Sequence, residues 1–465
     1  MTPQELKLIH AFFYPKTVAV IGASHTAGSV GYTVLENFVR KFKGNIYPIN
    51  PNVSEILGKK CHKSIIDVKE KIDLAIICTP AQVVLKVFEE CALKKIPAVI
   101  IVSAGFNEIG NTELTEKLEK LISKYKKTTR VIGPNCLGVL NTETKVDTLF
   151  LPEYRLARPE LGSISFISQS GAIGSAVLDW ASSEDYGMNK LISYGNALDL
   201  DETDLMEYLI QDPKTSVICL YLEGNKNGRK FFESLKKNSH KKPIIVLKGG
   251  RSKAGAKATQ SHTASLAGSN EVFNALFKQT GLIEAKTFEE LFNFARILSK
   301  IKIAPKGKRV QIITDGGGYG VLLADSIEET GLELAEMSAN NIEIIRKQVP
   351  SYVQIKNPLD LAGDVTNERY KIAIEQALLD KNVDMLAVIL LYQVPQLDSK
   401  IVEEVKALNN RKLKPLIAIS IGGEFSKVHS KALEEAGVVN FLYPDEAAKA
   451  LKALFEFHQY KKEHK

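Results

Sequence analysis

Hydrophobic positions in this chain fall in short unbroken runs, each closed by Gly, Pro, Asn or Ser. TVAVIGAS (17–24), NIYPINP (45–51), LAIICTP (74–80), AVIIVSAG (98–105) and RVIGPN (130–135) are runs of this kind. Between most of them the period changes to that of an amphipathic helix, as in GYTVLENFVRKF (31–42), AQVVLKVFEECALKK (81–95) and NTELTEKLEKLISKYKK (111–127). Continuous apolar strands alternating with helices predict a parallel sheet covered on both faces. Ligands in such sheets bind beyond the carboxyl ends of the strands.

The rhythm stops at NTETKVDTLFLPEYRLARPE (141–160), which reads as a linker. It resumes with SISFISQSG (163–171), KLISYGN (190–196), SVICLYLEG (216–224) and KPIIVLKGG (242–250). A run of small residues follows, then a helix from about Glu271, a short strand GLIEA and a helix FEELFNFARILSK. IKIAPKGKR (301–309) marks a second boundary, and VQIITDGGGYG (310–320) opens a third series. The predicted architecture is α/β, with three doubly wound parallel-sheet domains over 1–140, 155–300 and 306–460. A length of 465 residues fits that count, at roughly 150 residues per domain.

Composition narrows the class. The chain is 45% hydrophobic and 25% charged, with a net charge of +7. The basic residues are spread, without the clustered face that nucleic-acid binding leaves. Five cysteines lack any CxxC spacing, so free thiols in a reducing compartment are expected, with no disulfide and no metal site. The N-terminus has no signal-peptide pattern, and no apolar run approaches the ~20 residues that span a bilayer. A cytoplasmic protein with no membrane association is expected.

Candidate chemistry begins at the first strand–loop–helix. Gly22, Ala23, Ser24, Gly28, Ser29, Val30 and Gly31 form a small-residue loop where backbone N–H groups approach an anion. An NAD fingerprint would also need an acid after the second strand. Asn50-Pro51-Asn52 stands there instead. Another adenine nucleotide with several phosphates fits better, coenzyme A among them. In the second series, Ser168-Gln169-Ser170-Gly171-Ala172 lies between strand and helix, a second anion-binding turn, with Gly195-Asn196 on the same sheet edge. Glu223 ends an apolar strand there. His262 sits in KGGRSKAGAKATQSHTASLAGSN (248–270), a small-residue segment with Arg251, Lys253 and Lys257 and no acid. Such a segment suits a mobile loop carrying an anion. A carboxylate that accepts a hydrogen bond from one imidazole nitrogen would leave the other free as a nucleophile.

IGAS…GSVG, YPINPN (47–52), CTPA (78–81), VSAGF (102–106) and GPNCLG (133–138) together resemble the CoA-binding domain of the nucleoside-diphosphate-forming acyl-CoA synthetases. That family includes succinyl-CoA ligases and ADP-forming acetyl-CoA synthetases, and the resemblance runs through nearly the whole chain. It implies a Rossmann-like CoA-binding domain followed by two flavodoxin-like domains. Contacts to CoA are implied for the Gly22–Gly31 loop, Asn50, Pro51, Cys78, Thr79, Pro80, Ser103, Ala104, Gly105 and Asn135. The SHT–LAG core (Ser261-His262-Thr263 and Leu266-Ala267-Gly268) is similar to the family's phosphohistidine loop. Ala264 departs from the Gly found in many members. Asp315–Gly320 and Asn357–Leu361 resemble the extra flavodoxin-like domain of the α subunit and are read as scaffold and subunit contact.

The resemblance implies acyl-CoA + ADP + phosphate ⇌ acid + ATP + CoA, through an acyl phosphate and a phosphohistidine at His262 oriented by Glu223. Acetate or a similarly small acid is favoured. The sequence shows no convincing ATP-grasp region, so Mg-ADP/ATP is expected on a separate ATP-grasp β subunit in an α2β2 assembly. Two other readings remain open. One is a non-catalytic CoA-binding sensor or scaffold; the other is an NAD-dependent oxidoreductase.

Overall fold

A computed structural model describes residues 1–263 and 270–464, excluding the side chains of residues 259–263 and 270. The chain divides into two compact units, Met1–Glu284 and Ala285–Lys465.

The first unit holds two large sheets and a two-stranded one, Glu55–Ile56 with Lys59–Lys60. The first large sheet has five parallel strands: Asn45–Ile49, Thr17–Ile21, Leu74–Ile77, Ala98–Ile101 and Arg130–Ile132, neighbours in that order. The chain leaves Thr17–Ile21 toward one side and returns on the other, so a topological switch point lies between Thr17–Ile21 and Leu74–Ile77. Ligands in open α/β sheets bind at such crevices. The Gly22–Gly31 loop and Cys78–Pro80 are the segments that leave those two strands.

The second sheet has seven strands, ordered Ile283–Ala285, Ile244–Lys248, Val217–Leu222, Leu161–Ser168, Met188–Ser193, Gly138–Asn141 and Val146–Asp147. Leu161–Ser168 pairs in parallel with Met188–Ser193 and with Val217–Leu222. Its switch point lies between Leu161–Ser168 and Val217–Leu222, the strands that deliver Gln169 and Glu223. The stretch 141–160 is more than a linker. Gly138–Asn141 and Val146–Asp147 form an antiparallel hairpin on the edge of this sheet. Its second strand is only two residues long, too short to read as a strand in the sequence.

One continuous core joins the two sheets. Val18, Phe38 and Ile100 of the first pack in the same cluster as Ile167, Ile192 and Leu220 of the second. Polar links reinforce the seam. Asp199 accepts from the Arg130 Nε and the Val131 N–H, both at 2.8 Å. Within the second sheet's own layer, Lys190 is fully buried beside Asp212, with Nζ to Oδ2 at 2.7 Å.

The segment 253–263 is an α-helix (Lys253–Thr263), where the sequence reading expects a loop. Alanines and lysines are good helix formers, and the run of small residues hides that preference. Ser261, His262 and Thr263 lie on this helix, but their side chains are outside the described residues. So are Ala264 and Leu266-Ala267-Gly268.

The second unit has parallel strands ordered Glu333–Leu334, Arg309–Thr314, Met385–Leu390, Leu416–Ser420 and Val439–Phe441, with Leu359–Asp360 also on Arg309–Thr314. The helix Phe288–Lys300 packs here against the long helix Pro444–Glu463. Among the described residues, no helix is long and apolar enough to cross a membrane.

Candidate active site

The turn after Thr17–Ile21 closes tightly on its helix. A Cβ on Gly31 would lie 2.0 Å from the Gly22 carbonyl oxygen, so the helix Val30–Lys41 approaches the loop more closely than any side chain allows. Ser29 caps that helix by accepting from Tyr32 N–H, and the Ser24 hydroxyl accepts from Thr26 N–H at 3.0 Å. Asn50 follows the strand Asn45–Ile49 beside this loop. Its Nδ2 donates to the Ala23 carbonyl at 2.7 Å, and its Oδ1 accepts from Asn52 N–H at 2.8 Å. It braces the loop from the neighbouring strand, and Pro51 follows it.

At the carboxyl edge of both sheets opens a cavity of about 1180 Å³. From the first sheet it is lined by Val30, Cys78, Thr79, Pro80, Ser103, Ala104 and Asn135, and from the second by Gln169, Ser170, Gly171, Ala172, Gly195 and Asn196. The structure thus brings members of two separately predicted residue sets into one space. Gly22, Ala23, Ser24, Gly28, Ser29, Gly31, Asn50, Pro51, Gly105, Ser168 and Glu223 do not line it.

The second-sheet turn is a capped helix start tied to the neighbouring strand. Ser170 caps the helix Gly171–Ser183 by accepting from Ile173 N–H. The Ser168 hydroxyl donates to the Ser170 carbonyl at 2.6 Å and shapes the turn from within. Gln169 Oε1 accepts from Glu223 N–H at 2.8 Å and from Gly224 N–H at 3.2 Å, locking the turn to the end of the neighbouring strand. The remaining polar end of Gln169, a donating amide, suits an anion. Gly195 has φ +56°, and a Cβ there would lie 2.2 Å from the Asn135 carbonyl oxygen. Glycine is therefore what lets the GPN turn of the first sheet meet the Gly195-Asn196 turn of the second.

Glu223 is buried. Its carboxylate accepts from the Tyr221 hydroxyl at 3.2 Å, and burial together with that carboxylate pushes the Tyr221 phenol up to about 12. Lys248 donates to the Glu223 carbonyl at 2.8 Å, and burial lowers its ammonium below the usual lysine range despite the pull of Glu223. Arg251 is paired with Glu284 at 3.0 Å, so it is not an unattached cation for a passenger. Burial pushes the Cys78 and Cys136 thiols up to about 12, so both are neutral at physiological pH and neither is an activated nucleophile.

Three polar residues of this site escape sequence reasoning. Glu108 Oε1 accepts from Gly105 N–H at 2.5 Å and Phe106 N–H at 3.1 Å, and Oε2 accepts from Asn196 Nδ2 at 2.6 Å. Against the upward push of burial, these bonds hold its carboxyl below the usual range. Glu202, 4% exposed, lines the cavity and accepts from Asn225 Nδ2. Burial, with Asp201 beside it, pushes Glu202 up to about 7. Asn225 follows Glu223 by two residues. A buried acid such as Glu202 is legible only once the helix start it occupies is known to face a cavity.

In the second unit Asp315 accepts from Leu391 N–H at 3.1 Å, and burial pushes it up to about 6. Asn357 is spent on backbone, accepting from Ile312 N–H and donating to the Val310 and Ala335 carbonyls. Among the described residues no cluster of His, Cys, Asp and Glu could hold a metal ion.

Residues 16–142 match a family model described as a CoA binding domain, 161–298 one described as a succinyl-CoA ligase like flavodoxin domain, and 310–460 one described as a Ligase-CoA domain. The chain is 39% identical over 467 residues to the α subunit of acetate–CoA ligase (ADP-forming) I of Pyrococcus furiosus, covering 98% of this chain and 99% of that one. The chain belongs to the ADP-forming acetate–CoA ligase family.

A longer family member, acetate–CoA ligase (ADP-forming) I of Archaeoglobus fulgidus, is 40% identical over 444 residues. The match takes in 95% of this chain and 62% of that ligase, so the chain spans under two thirds of its length. Among solved structures, the dinucleotide-forming acetyl-coenzyme A synthetase 1 of Ca. Korarchaeum cryptofilum, in complex with phosphate and ADP, superposes with a TM-score of 0.91 at 33% identity. That superposition covers 98% of this chain and 97% of the other.

Proposed function

We propose that this chain is the α subunit of an ADP-forming acyl-CoA synthetase, catalysing acyl-CoA + ADP + phosphate ⇌ acid + ATP + CoA on a small acid such as acetate. The single observation that carries this is the cavity of about 1180 Å³ lined both by members of the predicted CoA set (Val30, Cys78, Thr79, Pro80, Ser103, Ala104 and Asn135) and by the predicted phosphate turn. A CoA-binding segment over 1–140 supplies the first set, and a phosphoryl-transfer segment over 155–300 supplies the second. A third segment over 306–460 serves as scaffold and subunit contact.

CoA lies along the first-sheet edge with its thioester facing residues 169–172. Phosphate, held by the N–H groups at the start of the helix Gly171–Ser183 and by Gln169, attacks the thioester carbonyl. The C–S bond breaks, CoA thiolate leaves, and an acyl phosphate remains. A nitrogen of His262 attacks its phosphorus, the P–O bond to the acyl carboxylate breaks, and the acid departs. Glu223, oriented by the Tyr221 hydroxyl, stabilises the positive charge that develops on the ring. The phosphoryl group then passes to Mg-ADP on an ATP-grasp β subunit, regenerating the histidine. The assembly is α2β2 and works in the cytoplasm. A covalent relay suits two sites that cannot share one transition state.

The test is release of CoA thiol from acetyl-CoA, dependent on phosphate, ADP and a candidate β subunit, with ATP formed in equal amount. A non-catalytic CoA-binding protein would bind CoA and release nothing.

A further inference from the structure

The stretch that reads as a linker in the sequence reaches the cavity. Phe150 and Leu151 line it, just past the hairpin of Gly138–Asn141 and Val146–Asp147. The pairing of that hairpin extends one step further, with Thr148 N–H donating to the Val139 carbonyl at 3.0 Å. Two residues beyond that bond stand Leu137 on one strand and Phe150 on the other, and both line the cavity.

Leu137 also reaches the phosphate turn. A Cβ on Gly171 would lie 3.6 Å from Leu137 Cβ, and one on Gly174 would lie 3.9 Å from Leu137 Cδ2. The Leu137 N–H is spent on the Ser193 hydroxyl at 3.2 Å. Phe150 is half-buried and packs against the core. Its backbone is held on both sides. Leu149 N–H donates to the Asp147 carboxylate at 3.1 Å, and the Leu149 carbonyl accepts from Asn37 Nδ2 at 2.7 Å. The Leu151 carbonyl accepts from Arg158 Nη2 at 2.8 Å, and Arg158 Nε donates to Asp147 at 2.7 Å. A wall tied down in this way does not move aside cheaply for added bulk.

The side chains of Leu137 and Phe150 offer no donor or acceptor, so this wall selects by shape. The inference rests on the reading given under Proposed function, in which the thioester carbonyl meets phosphate at this turn and the acyl chain has the wall as its neighbour. We propose that Leu137 and Phe150 set the acyl-size limit of the site, admitting acetyl and rejecting longer or aromatic acyl groups.

The experiment is calorimetric titration of the full chain with free CoA, acetyl-CoA, hexanoyl-CoA and phenylacetyl-CoA. The wild-type chain should bind acetyl-CoA about tenfold more tightly than either larger thioester, as expected where a fixed wall meets added bulk. Phe150→Ala clears the ring from the wall and should bring that ratio to within about twofold. Leu137→Ala is the second variant and should do the same from the opposite strand. Free CoA carries no acyl group and should bind both variants as it binds wild type.

Equal binding of all three thioesters by wild type overturns the size limit and leaves the proposed function standing. So does an unchanged acetyl preference in either variant that still binds CoA. If a variant with the wild-type far-UV circular dichroism spectrum weakens free CoA as much as its thioesters, that side chain lines the pantetheine arm and the acyl assignment is wrong. Binding of neither CoA nor any thioester by wild type overturns both readings.

Discussion

Asn196 Nδ2 donates to the Glu108 carboxylate at 2.6 Å, joining the loop that follows the strand Ala98–Ile101 to the loop that follows Met188–Ser193. The other Glu108 oxygen accepts from Gly105 and Phe106 N–H, and Asn196 Oδ1 accepts from Asn135 Nδ2 at 3.2 Å. One carboxylate therefore ties the first-sheet side of the cavity to the second-sheet side. Glu108→Gln should raise the Kd for CoA about tenfold, the equivalent of one charged hydrogen bond. Titration calorimetry checks the affinity, and an unchanged far-UV circular dichroism spectrum checks the fold.

Gly31 and Gly28 flank the same loop but should respond differently to alanine. At Gly31 the new Cβ would meet the Gly22 carbonyl at 2.0 Å, and backbone cannot move aside cheaply. Gly31→Ala should cost about 1–3 kcal/mol, the range for overpacking, and should weaken CoA binding. Gly28 has open space around it and φ +81°, so Gly28→Ala should cost only the left-handed penalty of about 1–2 kcal/mol. Thermal denaturation of the two variants orders them.

How much of this was legible in the sequence depends on scale. The strands announce themselves because a doubly covered sheet needs unbroken apolar runs, and VAVI (18–21) or AVII (98–101) can be little else. The glycine turns are equally plain. Gly31 and Gly195 stand where backbones approach within the reach of a Cβ. What stayed hidden depends on three-dimensional partners. Nothing local separates Glu108, in an exposed-looking FNEIG loop, from any solvated acid until Asn196 arrives from 88 residues away. Glu202 stands in an acid-rich helix start, and only its burial sets it apart. The helix Lys253–Thr263 was masked because small residues serve loops and helices alike.

The buried pair Lys190–Asp212 is a structural anchor of the second sheet. Nζ lies 2.7 Å from Oδ2, with the lysine fully buried. Removing only the anion leaves a buried charge without its partner. Asp212→Asn should cost about 3–5 kcal/mol, and an apolar double replacement, Lys190→Met with Asp212→Leu, should recover most of it. Urea midpoints of the single and double variants decide this.

Glu202 gives the stability a pH dependence. Its carboxyl moves from 4.5 to about 7 on folding, chiefly through burial. Below pH 4.5 it is protonated in both states. Between there and pH 7 the unfolded chain releases the proton while the folded chain keeps it, so this contribution is lost as pH rises through the folded pKa. The loss is on the order of 3 kcal/mol, at 1.36 kcal/mol per pKa unit. Glu202→Gln should flatten the decline, narrowing or reversing any stability gap to wild type as pH rises from 5 to 8 in urea titrations.

The most direct test of the central claim is the phosphorylated intermediate. The chain, a candidate ATP-grasp β subunit, acetyl-CoA and labelled phosphate are mixed without ADP, and acid-labile label is mapped by digestion. The account predicts label on the peptide carrying His262, strongly reduced in Glu223→Gln and absent in His262→Ala, with chase into ATP when ADP is added. Full labelling and ATP formation by His262→Ala would contradict it.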